Sequence, residues 1–252
     1  MAIGLGDEVV WYSPTVDPTF PYRDNAGAVN LTNGLTSIVP DTGAGGTDKY
    51  QFLGNTSSYC TANQVVTSTT SFSVSAWING NPSGSEVVGV VAQSNISNQR
   101  GFLFGSYQNA GQGGNGSKLH AFYQSNPTTY NANERLQSNA TVFDNTWHHV
   151  VFTFGGGRVN IYVDGVLDAT RTSNVPSQIS ALHPFELGRY AGSNAYNGGP
   201  ANRPPVSFGR QFLLFFFPRC PRLHLFYIFR GPAGMIRHVP LVTIPLFFEC
   251  GQ

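Results

Sequence analysis

The 252 residues suffice for one β-sandwich with something appended, or for two small domains. Only 11% of them are charged and 29 are glycine, a balance that suits an all-β chain with many turns and disfavours a helical one. The formal net charge of +1 conceals two unlike parts: residues 1–199 carry eight Lys+Arg against twelve Asp+Glu, and residues 200–252 six against one. The larger part is therefore acidic and offers no basic patch for nucleic acid.

Met1 to Glu8 shows neither the basic region nor the apolar region of a secretory signal. Val9 to Tyr12 reads as a first strand, ended by Ser13-Pro14. Pro14, Pro18 and Pro21 cannot donate to a ladder, so residues 13–27 read as a loop. Ala28 to Gly34 reads as another short strand, Pro40 to Asp48 as a Gly/Asp-rich connection, and Tyr50 to Phe52 as the next strand. Phe72, Val74, Ala76 and Ile78 then alternate with Ser73, Ser75 and Trp77, giving one apolar face and one mixed face. Glu86 to Ala92 is an apolar run of buried-strand length, with Gly101 to Tyr107 as its hairpin partner. Lys118 to Tyr123 and Arg135 to Gln137 continue the meander across polar loops. Cys60 reads as a small buried hydrophobe, since three cysteines make no paired framework.

Trp147 to Thr172 is the most regular stretch. Val150, Val151, Phe152 and Phe154 suit a largely buried strand, because β-branched and aromatic side chains pack well on a pleated surface. Val159, Ile161 and Val163 alternate with Asn160 and Tyr162. Asp164-Gly165 between apolar runs predicts a type I′ hairpin, which needs positive φ at both central residues. Two successive hairpins make a three-stranded antiparallel meander, and Phe72, Val74, Trp77, Val151, Ile161 and Val163 are the expected core.

From about Pro200 the text changes. Residues 200–252 hold 8 of the 16 prolines and 9 of the 19 phenylalanines, yet one Asn, one Thr and no Asp or Lys. The run Phe212 to Phe217 stops at Pro218, far short of the roughly 20 apolar residues of a membrane-spanning helix. Three readings stay open: a membrane-surface or partner-binding segment, a poorly ordered extension, or a reading frame shifted near residues 199–211.

The order of these segments carries a resemblance. Trp147-His-His-Val-Val-Phe-Thr-Phe154, a Gly-rich turn, then Val159 to Leu167 resembles the laminin-G-like and pentraxin-like domains of the concanavalin A-like lectin/glucanase superfamily. Ser71 to Ile78, Tyr50 to Gly54 and Pro184 to Arg189 are similar to further strands of that family, so the match runs from about Val9 to Gly198. It implies an all-β, two-sheet antiparallel jelly-roll sandwich over residues 1–199, followed by an irregular C-terminal tail over 200–252. The family's closing strand, a Gly-x-Ile-Asp-Asp/Glu-Val segment, is missing where the tail begins. The implied role is a non-catalytic recognition or adhesion module that binds a glycan or a protein surface, extracellular or virion-associated, of phage or bacterial type. Two other classes stay open: a glycoside hydrolase of the same superfold, and a structural or non-functional product of a damaged frame.

A glycosidase needs two carboxylates a few ångströms apart, and Glu86, Glu134 and Glu186 are isolated in sequence. His148 and His149 are adjacent on a strand, so their rings point to opposite faces and cannot readily share one ion. Calcium is the one cofactor that the resemblance admits, through loop carboxylates. Phe52 to Tyr59, however, brings none, and Asp24, Asp41 and Asp48 are scattered. For a glycan, aromatic faces beside Asn/Gly/Ser-rich loops are the candidate ligand-binding groups: Tyr107, Tyr123, Tyr130, Tyr190 and Tyr196.

Overall fold

The computed structural model describes residues 8–12, 37–40, 48–52, 59–63, 70–80, 87–95, 100–107, 116–126, 131–180, 184–188 and 206–215. Among these residues every regular element is a strand. In chain order the strands begin with β1 (Glu8–Tyr12), β2 (Ser37–Pro40), β3 (Asp48–Phe52), β4 (Cys60–Ala62) and β5 (Phe72–Asn79). Next come β6 (Val87–Asn95), β7 (Arg100–Tyr107), β8 (Lys118–Gln124), β9 (Arg135–Thr141) and β10 (His148–Gly155). The set closes with β11 (Arg158–Val163), β12 (Val166–Arg171), β13 (Phe185–Leu187) and β14 (Val206–Phe215).

They form two antiparallel sheets. The larger, of eight strands, runs β12-β11-β10-β5-β14-β3-β2, with β1 also paired to β14; the smaller, of six, runs β4-β13-β6-β7-β8-β9. Strand alternation decides which side chains meet between them. In β5 the even-numbered Phe72, Val74, Ala76 and Ile78 face inward, and they stand opposite Phe154, Phe152, Val150 and His148 of β10 in register. Val150, Phe152 and Phe154 in turn face Val163, Ile161 and Val159 of β11. From the smaller sheet, Phe102, Phe104, Leu119, Ala121, Tyr123, Phe185 and Leu187 complete one continuous core.

Its centre is aromatic. Phe152 lies 5.6 Å from Phe104 in a stacked pair and 5.4 Å from Phe72 edge-on. Such pairs add about 0.5–1.5 kcal/mol each beyond the area they bury. Cys60 is buried in this core, as a small hydrophobe would be.

The turns follow the sequence chemistry. Asp164 (φ 50°) and Gly165 (φ 82°) both take positive φ, as a type I′ hairpin demands. Gly156 and Gly157 do the same between β10 and β11. At the open side of the sandwich, Asp168 of edge strand β12 reaches across to edge strand β9. Its carboxylate accepts the backbone N–H of Asn139 at 2.6 Å and of Ala140 at 2.9 Å, and its carbonyl accepts the Asn139 amide. This clasp occupies edge donors that would otherwise invite another strand.

Three expectations are revised. Trp77, expected in the core, is half-buried on the outer side of β5, whereas Val151 is buried as expected, though on the outer side of β10. Two strands, β2 and β4, fall where no strand was expected. The expected strand at residues 28–34 lies outside the described residues. Finally, the sheet does not end at residue 199. β14 lies between β5 and β3, pairing Phe208 with Ile78 and Tyr50, and Leu214 with Val74 and Val10. Residues 216–252 lie outside the described residues.

Candidate functional site

The same alternation that fills the core sends a second, more polar set of side chains to the outer face of the eight-stranded sheet. Trp77 stands opposite His149, and Ser75 opposite Val151, which faces Tyr162 in turn. Ser73 faces Thr153, then Asn160, then Thr170. Three of its members are hydrogen-bonded to one another: Asn160 Nδ2 donates to Thr153 Oγ1 at 3.1 Å, and Thr170 Oγ1 donates to Asn160 Oδ1 at 2.7 Å. Burial raises the Tyr162 phenol above its usual range against the pull of nearby Arg158.

The first row is more available. The Trp77 indole and the His149 imidazole are tilted with centroids 5.2 Å apart, and both stay partly exposed. His149 Nε2 lies 2.9 Å from Ser75 Oγ. Burial holds the ring's pKa down to about 4, against the attraction of Asp164, so at neutral pH it is an uncharged hydrogen-bonding group. An indole face beside a neutral imidazole, whose Nε2 is engaged by the buried Ser75 hydroxyl, combines an apolar platform with a directional polar ring, a pairing that suits a sugar.

The edge of this row is built by two loops that His148 joins. Its Nδ1 lies 2.7 Å from Asp164 Oδ2 in the β11–β12 turn. Its Nε2 lies 2.9 Å from Thr146 Oγ1 and 3.3 Å from Asp144 Oδ1 in the β9–β10 loop. Thr146 donates to Asp144 Oδ1 from its N–H at 2.9 Å and from its hydroxyl at 2.6 Å. The hydroxyl bond is the main cause holding the Asp144 carboxyl below the usual range. Hydroxyl, imidazole and carboxylate line up as in a nucleophilic relay, but Thr146 Oγ1 lies closer to Asp144 Oδ1, at 2.6 Å, than to the ring, at 2.9 Å. The arrangement therefore reads as a tie between loops. The Asp144 and Asp164 carboxylates cannot flank a sugar, because the imidazole fills the space between them.

The five expected tyrosines fare differently. Tyr123 is corrected outright: fully buried in the core, with its ring 6.0 Å from Phe154, it presents no face to a ligand. Burial also raises its phenol pKa. Tyr107 is 3% exposed. It packs on the outer face of the six-stranded sheet, 5.3 Å edge-on to Phe122 and beneath the Arg135 guanidinium at 5.0 Å, so it too is a packing residue. Tyr130, Tyr190 and Tyr196 lie outside the described residues. The base of the loop that carries residue 130 is tightly made. Glu134 accepts the Ser125 N–H at 2.7 Å, the Ser125 hydroxyl at 2.8 Å and the Asn131 amide at 3.2 Å.

Trp77 is the aromatic of this candidate site that sequence reading left out. Its signal was parity: it shares the odd-numbered face with Ser73 and Ser75, not the even face of Phe72 and Val74.

The isolated acids stay apart. Glu186 on β13 and Glu134 just before β9 are four strand positions from each other in the six-stranded sheet, roughly 19 Å at about 4.8 Å per strand. Glycosidase carboxylates stand about 5–9.5 Å apart. Glu86 lies outside the described residues. Among the described residues no group of three or more His, Cys, Asp or Glu is placed to hold a metal ion, and Asp24 and Asp41 lie outside the described residues. No helix among them is long and apolar enough to cross a membrane.

A family model described as the concanavalin A-like lectin/glucanases superfamily, of laminin G type, matches residues 53–200, more than half of the chain. The binding domain of Paraclostridial Mosquitocidal Protein 1 is similar over 84% of this chain and 49% of its own, at a TM-score of 0.63 and 14% identity. The botulinum neurotoxin serotype D ligand binding domain, solved in complex with N-acetylneuraminic acid, is similar over 83% and 47%, at 0.58 and 14%. For the botulinum neurotoxin serotype G binding domain the figures are 82% and 47%, at 0.59 and 13%. The chain thus spans about half the length of these binding domains, and at such identity the likeness is one of fold. No curated protein matches the chain in sequence.

Proposed function

The chain belongs to the concanavalin A-like lectin/glucanases superfamily, and from that premise we propose that it is a non-catalytic recognition module whose ligand is a glycan held against the Trp77–His149 pair. The observation that carries this reading is the pair itself: two partly exposed rings 5.2 Å apart on the outer face, with the buried Ser75 hydroxyl 2.9 Å from the imidazole. A neutral imidazole beside an indole favours stacking and hydrogen bonding over charge attraction, so neutral sugars suit it better than acidic ones. The solved domains of similar fold are binding domains by description, one of them complexed with N-acetylneuraminic acid, which supports recognition as the class of activity. A module of this kind suits a cell-surface or virion assembly, where the same face would meet a glycan or a glycosylated protein.

The test is a glycan array with the wild type and Trp77→Ala at neutral pH. The variant should lose the array signals while unfolding within about 1–2 kcal/mol of the wild type, since Trp77 packs only partly. Retained binding in Trp77→Ala would remove this face from the reading. Reproducible hydrolysis of a polymer, abolished by a single Glu→Gln change, would replace recognition with catalysis.

A further inference from the structure

We infer that His148 is a positioning residue whose protonation locks the β9–β10 loop beside the Trp77–His149 pair, and that losing the proton loosens it. The inference rests on the glycan reading only for what that pair binds. Three sets of bonds bring the loop to the site. Asn145 N–H donates to Gly80 carbonyl at 3.2 Å, and Asn79 Nδ2 donates to Asn145 carbonyl at 3.1 Å, so the loop grips the end of β5 two and three residues beyond Trp77. Asp164, in the other loop, is bound to the backbone of His149 itself: its Oδ1 accepts the His149 N–H at 2.9 Å, and its N–H donates to the His149 carbonyl at 2.8 Å. His148 closes the ring by joining Asp164 to Asp144 and Thr146.

The two protonation states cannot make the same bonds. With both ring nitrogens protonated, Nδ1–H donates to Asp164 and Nε2–H points at Asp144 and Thr146, while the Thr146 hydroxyl stays on Asp144. Every donor then meets an acceptor. With Nε2 unprotonated, its lone pair faces the Asp144 oxygen at 3.3 Å, which is repulsive. The Thr146 hydroxyl must then rotate from Asp144 to the ring to relieve it. Asp144 keeps only the Thr146 N–H, and the loop loses its charged tie to the turn. The charged groups that face the imidazole are Asp144 from its own loop and Asp164 from the turn. On the β5 side its register partner is the uncharged Ile78. Thr146 is thus a two-position switch set by one proton.

The experiment uses the full chain and no ligand. Imidazole ring signals are titrated by NMR, with the His148 signal assigned by its loss in His148→Asn. Amide protection factors at Asn145, Thr146 and His149 and the Trp77 indole N–H shift are followed over the same pH series. Protection at Asn145 and Thr146 should fall about twofold to fivefold, the range that exposed ion pairs support, with its midpoint on the His148 ring titration. The Trp77 indole shift should trace the same curve. In His148→Asn the inflection should vanish, and in Asp144→Asn it should shrink. A protection change that misses the His148 titration, or that survives in either variant undiminished, overturns the clamp. A Trp77 signal blind to that titration overturns its coupling to the site. None of these readouts involves a sugar, so a failed glycan array with an intact titration would sink the glycan reading and leave the clamp standing.

Discussion

Acidification should destabilise this sandwich through one side chain, His149. The folded ring takes up a proton only below about pH 4, because burial penalises the charged form, whereas the unfolded ring does so near the ordinary 6.5. Between those values the unfolded chain binds more protons, so stability is complete above about 6.5 and falls as the pH drops towards 4. At about 1.4 kcal/mol for each pH unit separating the two values, the ceiling is roughly 3 kcal/mol, of which about 2 kcal/mol is already lost at pH 5. Water reaches part of the ring, so about 1–2 kcal/mol is the expected loss at pH 5. The Asp144 carboxyl is also depressed, but its contribution disappears only as the pH falls below 3.8, outside this window. Urea unfolding at pH 7 and pH 5, followed by tryptophan fluorescence with constant m-values, gives the difference directly. His149→Gln keeps a polar side chain without a titrating ring, and the other five histidines are common to both proteins. The wild type should lose about 1–2 kcal/mol more than the variant between the two pH values. Equal losses would refute the assignment of the acid sensitivity to His149.

Three further outcomes can be checked. Phe152→Ala should cost about 3–5 kcal/mol in the same unfolding assay, since the ring is fully buried between Phe104 and Phe72; a cost under about 1 kcal/mol would mean that the core collapses around the gap or is loosely packed. Asp168→Ala should cost about 1–3 kcal/mol by leaving the Asn139 and Ala140 N–H groups of β9 unclasped, and should raise the tendency to aggregate in light scattering; an unchanged variant would make the clasp incidental. A chain ending at residue 218 should unfold cooperatively like the full chain, whereas one ending at 199 should not, because it lacks the strand that joins β5 to β3. Equal melting of the two would show that β14 is dispensable.

Local chemistry made much of this fold legible, and long-range pairing hid the rest. The hairpin at Asp164-Gly165 and the alternation of Val159, Ile161 and Val163 specify β10 to β12 within some twenty residues, and the structure follows them in register. Trp77 shows where residue type misleads. A tryptophan in a strand invites a core assignment by size, yet its parity with Ser73 and Ser75 places it outside, and the periodic signal was the better guide. For Tyr123 parity was silent, because Leu119, Ala121 and Tyr123 alternate with the equally ring-bearing His120 and Phe122. Both faces of β8 are thus able to be buried, and both are. β14 was hidden for a different reason. Nothing local in Val206 to Phe215 says that it should enter a sheet between strands that precede it by more than a hundred residues. Once β5 and β3 are held apart by one strand width, however, their inner edges offer unpaired N–H and C=O groups on both sides, and any extended, proline-free run that reaches the gap is bound by two ladders at once. Val206 to Phe215 is such a run, bounded by Pro204-Pro205 and Pro218. The sheet's demand for a partner, rather than the familiar closing motif, is therefore sufficient to seat it.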